Sequence, residues 1–259
     1  MLKKYAGYLI DLDGTIYQGT NKIAGAQEFI KRLNAHDRQY LFLTNNSTRT
    51  PEMVAEFLTT VHAIPTTAKQ VYTSAMATAD YLRDTLAMPV GTRIYVIGEI
   101  GLKTALTSVG FTLTDEQPEV VVVGMDTHAN YEMFAKATLA IQKGATYIAT
   151  NLDTNIPTER GLIPGAGSLN ALVTTATQVQ PIEIGKPSPQ IVDLARQRLG
   201  TGVTDTLIVG DNYFTDIMAG INAHVDTLMT YTGISTKMQV AQQGQAPTYE
   251  VKNLNDWQV

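Results

Sequence analysis

The chain has 259 residues, 44% of them hydrophobic and 17% charged, so it can bury a sizeable core in one large domain or two smaller ones, and a disordered chain is excluded. Its net charge of -5 argues against an electrostatic nucleic-acid binder, which needs a basic face, but not against phosphate chemistry, because one metal ion and one lysine can reverse the field inside a pocket. The absence of cysteine excludes disulfides, thiolate catalysis and zinc–cysteine sites.

The opening Met-Leu-Lys-Lys-Tyr lacks the apolar stretch of a signal peptide, and no later run reaches membrane-spanning length; the expectation is a soluble cytoplasmic protein. A first strand is predicted at 5–10, followed by a turn rich in Gly and Asp and a helix around 26–33. A second strand at 40–43 runs into Thr44-Asn45-Asn46-Ser47. A helix then begins with Thr50 as N-cap and Pro51 at its first position, where proline is well tolerated. The middle of the chain carries strand patterns at 93–97, 120–123 and 147–149, and helical patterns at 102–109, 131–142 and 169–176. Towards the end, Ser188-Pro189 opens a helix that Gly200 stops. A wholly apolar strand at 207–209 leads to Gly210-Asp211, a helix follows over 214–220, and 227–229 suits one more strand.

Strands alternating with helices predict an α/β protein with a doubly wound, Rossmann-like parallel sheet. The economical arrangement is a core built from both ends of the chain, residues 1–78 and 182–259, with 79–181 inserted as a second α/β domain. The four histidines, His36, His62, His128 and His224, lie far apart in no metal-ligand pattern and read as surface or satisfied side chains.

Four polar segments each follow a predicted strand, and open α/β sheets bind ligands beyond the carboxyl ends of their strands. They are Asp11-Leu12-Asp13-Gly14-Thr15, Thr44-Asn45-Asn46, Gly185-Lys186-Pro187, and Gly210-Asp211-Asn212 with Asp216 beyond. In an extended strand Asp11 and Asp13 point the same way, and two such carboxylates in one site need a cation or a proton between them. Asp211 adds a third carboxylate, the oxygen ligand that Mg²⁺ prefers. Lys186 would supply a compact positive charge for a phosphoryl group or a nucleophilic carboxylate. Thr44 would offer its hydroxyl, and Asn45 and Asn46 their main-chain N–H groups, to phosphate oxygens. Each segment has an ordinary reading by itself: a turn after a strand, a solvated lysine, a strand-end hydroxyl, a carboxylate favouring a helix start. All four in order are hard to explain as coincidence.

With these motifs the chain resembles the haloacid dehalogenase superfamily. Leu43-Thr44-Asn45-Asn46-Ser47-Thr48, Tyr72-Thr73-Ser74-Ala75, Gly185-Lys186-Pro187-Ser188-Pro189 and Thr215-Asp216-Ile217 narrow the resemblance to its NagD-like and p-nitrophenyl phosphatase-like subgroup, which carries a large inserted α/β cap. The resemblance implies a Mg²⁺-dependent phosphatase of small phosphomonoesters such as nucleoside monophosphates, sugar phosphates and p-nitrophenyl phosphate. It makes Asp11 the nucleophile and Asp13 the general acid and then base, with Thr44 and Lys186 on the phosphoryl oxygens. Mg²⁺ would be held by the Asp11 carboxylate, the Asp13 main-chain carbonyl and Asp211, with Asp216 in support.

The cap should exclude water and touch the leaving group, and the polar stretch 150–168, with Asn151 and Asp153, is the candidate for that contact beside Asn45 and Asn46. The resemblance allows a homodimer through the cap, and implies neither a nucleic-acid polymer nor a membrane as partner. Two other readings fit the same residues: a phosphotransferase or mutase on this scaffold, and a receiver-like phosphate-sensing protein.

Overall fold

The computed structural model describes residues 3–259, which divide into two compact units. The first runs up to Thr44 and adds Pro51–Tyr72 and Lys186–Val259; the second comprises Asn45–Thr50 and Thr73–Gly185. The second unit is therefore wider than the span 79–181 expected from the sequence, and it includes a short piece of chain that follows the second core strand.

The first unit is built on a six-stranded sheet in the order Tyr249–Val251, Asp226–Thr230, Thr206–Gly210, Gly7–Ile10, Gln39–Thr44 and Val71–Thr73. The first five of these run parallel. From Gly7–Ile10 the chain winds outward through Gln39–Thr44; later it returns to lay Thr206–Gly210 on the other side of the first strand and winds the opposite way. The winding reverses between Gly7–Ile10 and Thr206–Gly210, and beyond the carboxyl ends of such a pair an open α/β sheet leaves a crevice. Every residue of both strands is buried, which is why they read as continuous apolar runs without alternation.

Helix Ala26–Ala35 buries Ala26, Phe29, Ile30 and Leu33, spaced three and four apart on one face. Phe29 meets Tyr8 edge to face at 6.0 Å. Helix Pro189–Leu199 buries Ile191, Val192, Leu194 and Ala195 and closes at Gly200 with a left-handed φ of 69°. The helix expected at 214–220 starts as a wide π-type turn, Tyr213–Ile217, capped by the Asn212 side chain, and continues through Met218–Asn222. Of the four histidines, His62 is buried, its ring stacked on Tyr17 at 4.5 Å.

The second unit has its own five-stranded parallel sheet, in the order Ile182–Glu183, Thr146–Ala149, Val120–Val123, Arg93–Ile97 and Thr112–Leu113. Helices Ile100–Ser108, Tyr131–Gln142 and Ala166–Thr177 accompany it. The polar stretch 150–168 contains a hairpin, Asn155–Thr158 with Gly161–Pro164, and Gly165 then serves as N-cap of the last helix. Among the described residues no helix is long and apolar enough to cross a membrane.

Glu183 ends the edge strand of this sheet, where burial, reinforced by Asp153, pushes its carboxyl up to about 7. The folded chain then keeps a proton that the unfolded chain releases between pH 4.5 and about 7, so stability falls as pH rises through that window. Glu183→Gln is expected to flatten this fall, read as Tm against pH; an unchanged slope would remove Glu183 from the account.

Candidate active site

Strand Gly7–Ile10 stops directly before Asp11. The Leu12 carbonyl then accepts the N–H groups of Thr15, Ile16 and Tyr17 at 3.3, 2.8 and 3.1 Å, and Gly14 takes a φ of 92°. The turn that replaces the strand here ends the two-residue alternation on which a shared direction for Asp11 and Asp13 depended. The carboxylates that do gather are those of Asp11, Asp211 and Asp216, with oxygens within 4.8 Å of one another. The Asp13 carboxylate lies outside this group, on an exposed residue, and accepts the Gly19 N–H at 3.4 Å. Surrounding atoms nevertheless desolvate it enough to hold its pKa above the usual range.

Asp211 follows the buried strand Thr206–Gly210 and is itself buried. Its Oδ1 accepts the Thr15 hydroxyl at 3.0 Å and its Oδ2 accepts the Ile234 N–H at 2.7 Å. Asp216 comes from the π-type turn and is also buried; its Oδ2 accepts the Asn212 N–H at 3.1 Å. Lys186 Nζ donates to Asp11 Oδ1 at 2.6 Å, to Asp216 Oδ1 at 2.6 Å and to the Leu43 carbonyl at 3.1 Å. These three acceptors match the three protons of an ammonium. The last of them pins the lysine to the strand end where the next residue is Thr44, itself buried.

Burial alone would lower the pKa of Lys186, but Asp11 and Asp216 outweigh it and the ammonium is held well above its ordinary range. Burial, then Asp11 and Asp216, push Asp211 up to about 8. Asp216 is pushed to about 6 by burial and Asp11, with Lys186 pulling the other way. Three carboxylates thus gather in a largely buried pocket with one ammonium, which bonds only Asp11 and Asp216, an arrangement short of positive charge. All three offer hard, anionic oxygens. That donor set suits Mg²⁺ and not a softer metal that prefers nitrogen or sulfur.

Two glycines clear the space around Asp211: a Cβ built at Gly14 or at Gly233 would run into its carboxylate. Gly233→Ala is expected to displace Asp211 and cut kcat/KM about a hundredfold, the scale for misplacing a catalytic group by an ångström. Kinetics within twofold of the unaltered chain would show that Asp211 tolerates the shift.

The remaining candidates lie in the second unit. Asn45 Nδ2 donates to Asp153 Oδ2 at 3.0 Å, and the Asn45 carbonyl accepts Asn151 Nδ2 at 2.9 Å and the Ser74 hydroxyl at 2.6 Å. Asn45, Asn151 and Asp153 are therefore brought together. Asn46 turns its side-chain carbonyl to the N–H groups of Thr48 and Arg49 at 2.9 and 3.1 Å, and so shapes its own loop. Sequence reasoning gave no role to Thr15, Thr232 or Ile234. Thr15 stands inside the first motif, so its hydroxyl was within reach of that reading. Thr232, which donates to the Gly14 carbonyl at 2.7 Å, and Ile234 carry no pattern beyond following a strand end.

Residues 8–112 match the family of haloacid dehalogenase-like hydrolases, and residues 183–257 match a HAD-hydrolase-like family. The chain is 48% identical to the 5'-nucleotidase YutF of Bacillus subtilis, over 99% of this chain and 98% of that protein. It is 46% identical to an acid sugar phosphatase of Staphylococcus aureus, over 98% and 97%. Among solved structures, a thermostable NPPase variant from Geobacillus stearothermophilus superposes with a TM-score of 0.91 at 49% identity, covering 99% of both chains. NagD from E. coli K-12 does so with a TM-score of 0.92 at 32% identity, again over 99% of both.

Proposed function

Because the chain belongs to the haloacid dehalogenase-like hydrolase family, we propose that it is a Mg²⁺-dependent phosphatase that hydrolyses small phosphomonoesters through a phosphoryl group carried on Asp11. The observation that carries this reading is the Asp11 carboxylate, half-buried at the switch point of the sheet and held at 2.6 Å by Lys186. A carboxylate so fixed is oriented as a nucleophile before substrate arrives.

In the first step an Asp11 oxygen bonds to phosphorus while the ester oxygen leaves and takes a proton from Asp13. In the second, Asp13 takes a proton from water, the water oxygen bonds to phosphorus, and the bond to Asp11 breaks to release phosphate. A raised pKa suits Asp13 to carrying that proton. Lys186 orients Asp11, and with the Thr44 hydroxyl it meets the negative charge of the transferring group. Asp11, Asp211 and Asp216, with the Asp13 main-chain carbonyl, would hold Mg²⁺, which when bound neutralises charge on the phosphoryl oxygens.

The names of the relatives, a 5'-nucleotidase and an acid sugar phosphatase, support nucleoside monophosphates and sugar phosphates as the substrate class. For Asn45, Asn46, Asn151 and Asp153 the proposal is a part in substrate selection, and for the second unit a part in a homodimer; sedimentation addresses the latter. Phosphate release should be measured over a panel of metabolite monoesters and p-nitrophenyl phosphate, with EDTA and with Mg²⁺ restored. EDTA is expected to stop turnover and Mg²⁺ to return it. Turnover that survives EDTA would end the metal-dependent reading, and transfer of label to a second alcohol in place of water would favour a phosphotransferase.

A further inference from the structure

The first unit has a further concavity, open to solvent, at the other end of its sheet. Strand Gln39–Thr44 carries Thr44 at its carboxyl end; at its amino end it borders a cavity of about 590 Å³. Arg38, Lys69 and Arg198 line that cavity together with Asn34, Tyr40 and Gln70, and no Asp or Glu lines it. Three cations on one concave surface, without an acid among its walls, are unexpected in a chain of net charge -5.

The polar groups here are set to give hydrogen bonds. Neither Arg38 nor Lys69 pairs with a carboxylate among the described residues. Arg38 Nε is buried with no hydrogen-bond partner. The Arg198 guanidinium lies over the Tyr72 ring, 5.6 Å from its centroid. Tyr40 is buried, and its hydroxyl oxygen accepts Gln70 Nε2 at 2.6 Å. Gln70 has only N–H groups to offer, because its Oε1 already accepts the N–H and hydroxyl of Thr67 at 3.0 and 3.1 Å.

We propose that this cavity is a second, non-catalytic site that binds a small dianion carrying a phosphate group. A tetrahedral oxyanion supplies what the lining lacks: negative charge to face the Arg38 guanidinium and the Lys69 ammonium, with Arg198 as a third cation beside them. The phosphate can come from the free ion or from an ester, and the two sources are separable by probe.

The full chain should be titrated calorimetrically with inorganic phosphate and, separately, with phenylphosphonate, a non-hydrolysable ester mimic. The same titrations follow on Lys69→Glu, whose exposed position preserves the fold, and on Arg38→Gln. The expected result is a binding event that Lys69→Glu weakens about tenfold or more, the scale of one charge-assisted hydrogen bond, while kcat/KM stays within about twofold. Preference for phosphate in that event identifies the free ion as ligand; preference for phenylphosphonate identifies an ester. Binding of both probes to Lys69→Glu and to Arg38→Gln just as to the unaltered chain overturns the proposal.

Discussion

Asp11→Asn is expected to lower phosphate release by about four orders of magnitude or more, the scale for loss of a covalent nucleophile, and to leave the chain folded. Asparagine keeps the shape of the side chain, and its Oδ1 can still accept from Lys186, but an amide is not a nucleophile towards phosphorus. The fold gains where the chemistry loses. Asp11 is a source of the repulsion that raises the pKa of both Asp211 and Asp216, so removing its charge leaves fewer anions sharing Lys186. Acid quenching during turnover of a phosphate-labelled substrate should trap label on the unaltered protein as a hydroxylamine-sensitive acyl phosphate, and none on the variant. Label on Asp11→Asn, or turnover above about a hundredth of normal, would place the nucleophile elsewhere. A large drop in Tm would instead mean that Asp11 is structural.

What the sequence disclosed and what it withheld separate along physical lines. Asp11, Thr44 and Asp211 were legible because each terminates a buried apolar strand, and a polar residue at that point must face the sheet's carboxyl edge. Lys186 and Asp216 were legible through motif order. The bonds that set Asp211 were not: Thr15 and Ile234 stand 196 and 23 residues from it, and no local pattern encodes a pairing made by tertiary folding. Alternation was a weak guide to Asp13, because it holds only while the strand lasts and the strand ends at Ile10; the carboxylates that gather with Asp11 come from Asp211 and Asp216. Asn45–Thr50 was placed with the core since it continues a core strand, yet the bonds to Asn45 come from Ser74, Asn151 and Asp153. Strand Tyr249–Val251 went unread because three residues are too few to show a period.

Lys186→Met is expected to cost both activity and stability, which separates it from Asp11→Asn. The side chain is 3% exposed and bonded to two carboxylates at 2.6 Å, so methionine keeps the volume and leaves the buried Asp216 and the half-buried Asp11 without their shared counter-charge. Breaking a buried ion pair from one side costs about 3–5 kcal/mol. Losing a preorganised positive charge at a phosphoryl site lowers kcat by about a hundred- to a thousandfold. Lys186→Arg should not restore either, because a planar guanidinium cannot reproduce three bonds that diverge from one nitrogen.

The sign of the pH effect is a further check. In EDTA the variant's Asp216, already pushed to about 6 with Lys186 beside it, loses that counter-charge and rises further. The folded variant then binds a proton that the unfolded chain gives up near its ordinary value, so its stability is greatest at low pH and falls as pH rises. Urea unfolding of Lys186→Met at several pH values should show the deficit narrowing below pH 6 or so. A deficit that stays constant from acid to neutral pH would mean that lost packing, and not the unpaired carboxylates, accounts for the instability.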